Sequence, residues 1–121
     1  MTEIIIYTLA LALVQIWLLP MTLNMKNFAW LLSSRDEPIA TTMLQQRVDR
    51  ATDNLQASLA PFLALCLLSM HIGVDVTTAA TYWLGLRIIY VPLYMSGTSF
   101  FRSAAWLGSL VCMVYMALQL I

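Results

Sequence analysis

Residues 47–61 read RVDRATDNLQASLAP, and the apolar run they open continues to residue 72. Two arginines, two aspartates and an asparagine stand at the mouth of a segment long enough to cross a bilayer. If the cluster only marks a helix end, the protein is a structural bundle. If it faces inward, it is half of a binding site. On a helix Arg47, Arg50 and Asn54 fall at i, i+3 and i+7, so they share one stripe. The segment therefore predicts a membrane helix whose cytoplasmic end carries a directed polar face.

The rest of the chain agrees with a lipid solvent. It has 121 residues, 61% of them hydrophobic and 10% charged, and its mean hydropathy is +0.81. Soluble domains carry roughly 25% charged residues, and a soluble core of this size could not hide so much apolar surface. Six basic and six acidic residues cancel, which gives no reason to expect nucleic acid or an acidic substrate as partner. Cys66 and Cys112 lie inside apolar runs with no metal or redox spacing, so both read as small buried hydrophobes and no metal is expected. The first apolar run follows Glu3 without a basic leader or a small-residue cleavage site, so it reads as a retained span.

A hydrocarbon core of about 30 Å needs about 20 apolar residues in helical form. Four stretches meet this: 4–21, 55–72, 76–95 and 104–120. The expected fold is an all-α membrane protein, a four-transmembrane-helix up-down bundle in a single domain over 1–121. Short connections make the second and third spans, and the third and fourth, antiparallel neighbours. The connection 22–46 is longer, and its SSRDEP segment (33–38) has turn chemistry. Thr41 and Thr42 can cap a helix that begins in water before the bilayer. Lys26, Arg35, Arg47 and Arg50 lie in or beside this connection and Arg102 beside the third. The positive-inside bias then makes both connections cytoplasmic and puts both termini on the non-cytoplasmic side.

Within the spans, polar residues recur where lipid would penalise them. Arg87, Tyr90 and Tyr94 repeat the i, i+3, i+7 spacing of the second span. Arg87 lies near mid-span, where insertion costs about 2.5–3.5 kcal/mol, so it is expected to face protein or a wet cavity, with Asp49 or Asp53 as pairing candidates. Arg102 starts the fourth span on the side of Arg47, Arg50 and Asn54. One reading makes Arg47, Arg50 and Arg102 interfacial anchors and Arg87 a structural ion pair. The other joins the stripes into a basic, tyrosine-lined pocket for a small anion. Pro61 and Pro92 free the carbonyls of Ala57 and Ile88 beside these stripes. His71 reads as an interfacial anchor, and Trp17, Trp30, Trp83 and Trp106 as belt or packing residues.

The stretch RVDRATDN from Arg47, ending at Pro61, resembles the second-helix signature of the MAPEG family, the membrane-associated proteins in eicosanoid and glutathione metabolism. LRIIYVPLYMSGTSFFRSAAW (86–106) resembles the family's third-to-fourth helix region, and the turn Arg35-Asp36-Glu37-Pro38 resembles that of its bacterial members. The resemblance implies a homotrimer in the bacterial inner membrane, with glutathione as substrate held between neighbours near the cytoplasmic face. Arg50 and Asn54 match glutathione-holding positions, Tyr90 and Tyr94 match positions lining the same pocket, and Arg102 matches the arginine that stabilises the thiolate. On this reading Arg102 is the catalytic residue, and Arg47, Arg50, Asn54, Arg87, Tyr90 and Tyr94 bind ligand. A small anionic thiol would be conjugated to, or would reduce, a lipophilic electrophile arriving from membrane lipid.

One position departs from the pattern. Members with glutathione chemistry carry a glutamate three residues after the asparagine, where this chain has Ala57. Gln56 and Ser58 are rotated about 100° away on the helix and do not replace it. Two readings stay open at this point: a glutathione-transferase-like enzyme, and a non-catalytic trimeric bundle binding lipid or partner proteins. A transporter subunit is a weaker third, since no inverted repeat is visible.

Overall fold

The computed structural model describes residues 1–34, 36 and 42–121. The turn expected over 33–38 thus falls mostly outside the described residues, as does the cap expected of Thr41. The chain opens with a rod over Thr2–Leu23, made of α1 (Thr2–Ala12), a π-helical turn (Leu13–Leu18) and α2 (Leu19–Leu23). Pro20 explains what the π turn leaves open. The Leu19 N–H donates to the Val14 carbonyl, and Pro20 has no N–H to give. The Gln15 carbonyl therefore loses both its α-helical and its π-helical donor. The Thr52 hydroxyl takes that place from the long helix that follows, at 3.0 Å, a bond of roughly 0.5–1.5 kcal/mol.

A 3₁₀ turn (Met25–Asn27) and the short α3 (Phe28–Leu31) lead away from the rod. The long helix α4 (Met43–Ile72) then starts with a capping box: Thr42 Oγ1 accepts from the Gln45 N–H, and Gln45 Oε1 accepts from the Thr42 N–H. The Gln45 amide donates onward to the Leu23 carbonyl and to Asn24 Oδ1. One side chain thus satisfies a helix start and clamps it to the end of α2.

Helices α5 (Thr77–Met95) and α6 (Ser99–Leu120) complete the bundle. Gly73 and Gly97, both at positive φ, turn the chain after α4 and α5, and the N–H groups of Val74 and Thr98 return to carbonyls on the last turns. This left-handed conformation is open to glycine because it lacks a Cβ. Asp75 accepts the Thr77 N–H at the start of α5. Along α6, Gly108 admits Leu86 to close contact with the backbone. The core is anchored by Phe62 and Trp83, stacked at 3.6 Å between ring centroids, with Leu55, Cys66, Ala80 and Met116 buried around them. No strand occurs among the described residues.

Among the described residues, three helices are long and apolar enough to cross a membrane: Thr2–Leu23, Met43–Ile72 and Ser99–Leu120. They contain the first, second and fourth expected spans. The third coincides with α5, whose 19 residues include Arg87 and three tyrosines that lower its apolarity. The side chains of Arg87, Tyr90 and Trp83 on α5 are buried, so α5 turns its polar groups to the protein. Outward-facing Ile6, Leu13, Leu67, Ile88, Leu107, Val111 and Leu118 are exposed, an apolar surface suited to lipid rather than water.

Candidate functional site

The two stripes meet where α4, α5 and the start of α6 converge. Asn54, Tyr90, Tyr94 and Arg102 line one cavity of about 210 Å³, together with Ser103 and Trp106. Tyr94 is its centre. The Arg102 guanidinium stands 4.7 Å from the Tyr94 ring centroid, and Arg50 Nε donates to the Tyr94 hydroxyl at 3.1 Å. Tyr90 meets Tyr94 edge-to-face at 5.5 Å. Two cations thus hold one phenol from its face and its oxygen, a cation–π and hydrogen-bond arrangement that fixes the ring.

Arg87 sits behind this wall. It is 1% exposed, its Nη1 donates to Asn54 Oδ1 at 2.7 Å, and its guanidinium lies 4.6 Å from the Tyr90 ring centroid. Its Nε and Nη2 have no partner. The expected pairing with Asp49 or Asp53 is therefore not made. Both aspartates are exposed on α4, and the neutral amide of Asn54 takes the place they were expected to fill. Arg87 does not line the cavity; it positions Asn54 and Tyr90, which do.

Arg47 has a different local task. Its Nη1 donates to the Met95 carbonyl at 3.1 Å, and its guanidinium packs on Gly97, where a Cβ would come within 2.9 Å of Nη2. It ties the end of α5 to α4, so that the turn into α6 delivers Arg102 to the cavity. Pro61 and Pro92 are exposed and neither lines the cavity. Ala57 is exposed on the surface of the chain, one turn beyond Asn54 on the same stripe.

Sequence reasoning missed Ser103 and treated Trp106 as a belt or packing residue. Spacing offered a signal: with Arg102 they fall at i, i+1 and i+4 on α6, so Arg102 and Trp106 share a face. Gln15 and Arg87 are covered within the single chain, at 2% and 1% exposure. Polar residues exposed on α4 include Asp49, Arg50, Asp53 and Gln56.

Chemically, the cavity offers cationic and hydroxyl donors and few acceptors, which suits an anion. At about 210 Å³ it is smaller than the roughly 300–1,000 Å³ typical of small-molecule sites and opens on the surface of the chain. No curated protein and no solved structure is a significant match to the chain. The model of the MAPEG family matches residues 4–121, which spans both motifs and every residue of this cavity. The chain is a membrane protein of the MAPEG family.

Proposed function

We propose that the protein is a homotrimer of four-span protomers that binds glutathione, or a similar anionic thiol, between subunits. There it adds the thiol to a lipophilic electrophile or uses it to reduce one. The observation that carries this reading is the clasp of Tyr94 between Arg50 and Arg102 beside Asn54 and Tyr90. A free thiol titrates near pH 8.5 and is mostly protonated at neutral pH. A fixed cation favours the thiolate by about 1.4 kcal/mol for each unit by which it lowers the pKa. Arg102, committed to no hydrogen bond acceptor in the cavity, is placed for that role, and the Tyr94 hydroxyl can add a second donor. The thiol proton leaves to solvent. The deprotonated sulfur attacks an electrophilic carbon as a leaving group departs, or adds to an activated double bond whose displaced electron pair then takes up a proton. On a hydroperoxide it attacks oxygen, the O–O bond breaks to release the alcohol, and a second thiol turns the resulting sulfenic acid into disulfide and water.

The small, open cavity supports a site completed by a neighbouring copy. The exposed Arg50, Asp53 and Gln56 support the same assembly, because lipid would leave such groups unpaired. We place the site at the cytoplasmic face of a bacterial inner membrane, with α5 as the remaining span and both termini on the opposite side.

Ala57 favours a second reading, a non-catalytic trimeric bundle that binds lipid or partner proteins. The deciding experiment is glutathione binding to detergent-purified protein and its Ala57→Glu variant. A restored carboxylate on the stripe of Arg50 and Asn54 should reach the ligand's ammonium group. Such a bond is worth about 1.5–3 kcal/mol, roughly ten- to a hundredfold in affinity, and Arg50→Ala in that background should remove the gain. A folded Ala57→Glu trimer that binds glutathione no better than the parent counts for the second reading.

A further inference from the structure

A larger cavity, of about 400 Å³, lies between the end of the first rod, α3 and the start of α4. Its volume is in the range of sites for drug-sized molecules. Trp17, Met21, Phe28 and Trp30 contribute aromatic and thioether walls, and Gln45 and Asp49 are among its polar members. The polar groups are not equivalent. The Gln45 amide is spent on Leu23 and Asn24, and the Asn24 amide donates to the Pro20 carbonyl. Asp49 has no hydrogen bond or ion pair among the described residues, and the charge beside it is Asp53, also acidic. The cavity thus presents one uncommitted carboxylate among π faces.

That combination selects for sign. The ring faces carry negative potential and attract ammonium groups, and a carboxylate does the same more strongly. No described lysine or arginine lines the cavity, so among the described residues a phosphate or carboxylate would meet Asp49 with no cation to offset it. A phospholipid headgroup is disfavoured on that ground even when it carries an amine. A neutral apolar molecule would fill the walls but leave Asp49 uncompensated. Trp17 and Met21 are 63% and 48% exposed, which opens the apolar side toward the bilayer, while Asp49 stands near the polar end of α4. We propose that this cleft binds a lipophilic amine, with its ammonium at Asp49, its tail along Trp17 and Met21, and no phosphate. The site is separate from the arginine–tyrosine cavity and does not depend on the function proposed for it.

The test is calorimetric titration of the full-length protein in a non-ionic detergent with hexyltrimethylammonium, hexanol and hexanoate. The expected result is saturable binding of the cation alone, weakened at least tenfold by Asp49→Asn and severalfold by Trp17→Ala. Asp49 holds no other residue and Trp17 is mostly exposed, so both variants should melt with the parent. Equal affinity of parent and Asp49→Asn for the cation would overturn the proposal, as would absence of saturable binding or equal binding of hexanoate. Dihexanoyl phosphatidylcholine binding as tightly as the cation, with the same Asp49 dependence, would also overturn it in favour of a lipid headgroup.

Discussion

Arg87 and Asn54 join α5 to α4 through a single short bond, Nη1 to Oδ1 at 2.7 Å, in a site where the arginine is almost wholly buried. A charge in that position relies on one neutral acceptor and on the π face of Tyr90. Asn54 is thus both a wall of the cavity and the anchor of the cation behind it, which couples the shape of the site to the stability of the bundle.

Asn54→Ala should lower stability by about 1.5–3 kcal/mol, the usual worth of a hydrogen bond to a charged group. It would leave all three guanidinium nitrogens unpartnered. Adding Arg87→Met should recover part of the loss, because an apolar side chain removes the stranded charge. Unfolding in mixed micelles measures both. A double variant less stable than Asn54→Ala alone would show that the cation is not the source of the cost.

Thr52→Val removes the hydroxyl that serves the Gln15 carbonyl while keeping the shape, and should cost roughly 0.5–1.5 kcal/mol. Pro20→Ala restores a backbone N–H to the rod. In the Pro20→Ala background the Thr52→Val penalty should shrink, and a full double-variant cycle by thermal unfolding checks the coupling.

Asp75 lies outside the spans, and hydrogen bonds from Thr77 hold its carboxyl below the usual carboxylate range. A pKa lower in the folded state gives stability that is present above the unfolded value, near 3.9. It is lost as pH falls through the folded value. Asp75→Asn keeps an acceptor for the Thr77 N–H, so the variant should differ little from the parent at neutral pH. It should lack the parent's additional destabilisation below about pH 4, read from melting temperature against pH.

Single cysteines at Ser34 and Asp75, in a background without Cys66 and Cys112, should react with impermeant maleimide from opposite faces of the membrane. Ser34 should be the cytoplasmic one. Labelling of both from the same face would remove α4, the helix between them, from the list of spans.

Much of the bundle was legible because the apolar runs are long and the turns carry glycine. The start of α4 was legible at Thr42, where a threonine precedes a glutamine by three residues. Within the candidate site, Asn54, Tyr90 and Tyr94 were readable as stripes because helical periodicity fixes which residues share a face, and Arg102 was readable from its place at the start of the fourth span. What lay beyond reach depended on how the helices dock. Arg47 shares the stripe of Arg50 yet bonds to Met95, 48 residues away, because the α5–α6 turn happens to end beneath it. The partner of Arg87 was misread for a similar reason: charge suggested an aspartate, but the rotation of α4 turns Asp49 and Asp53 away from Arg87 and Asn54 toward it. Nothing in the composition of residues 13–18 distinguished a π turn from an α turn.

The π turn at Leu13–Leu18 also bears on how this protein can change length. A π turn accommodates one residue more than the α path needs over the same stretch. Losing a residue there would let the rod continue as plain α-helix, and Ile4, Thr8 and Ala12 could keep their places against the core. The same loss within α4 would swing every preceding side chain by about 100° and carry Arg50 away from Tyr94. A one-residue deletion should therefore be tolerated in the first rod and purged from the second, which makes the N-terminal span the place where lineages of this chain can differ in length by a residue without losing the cavity.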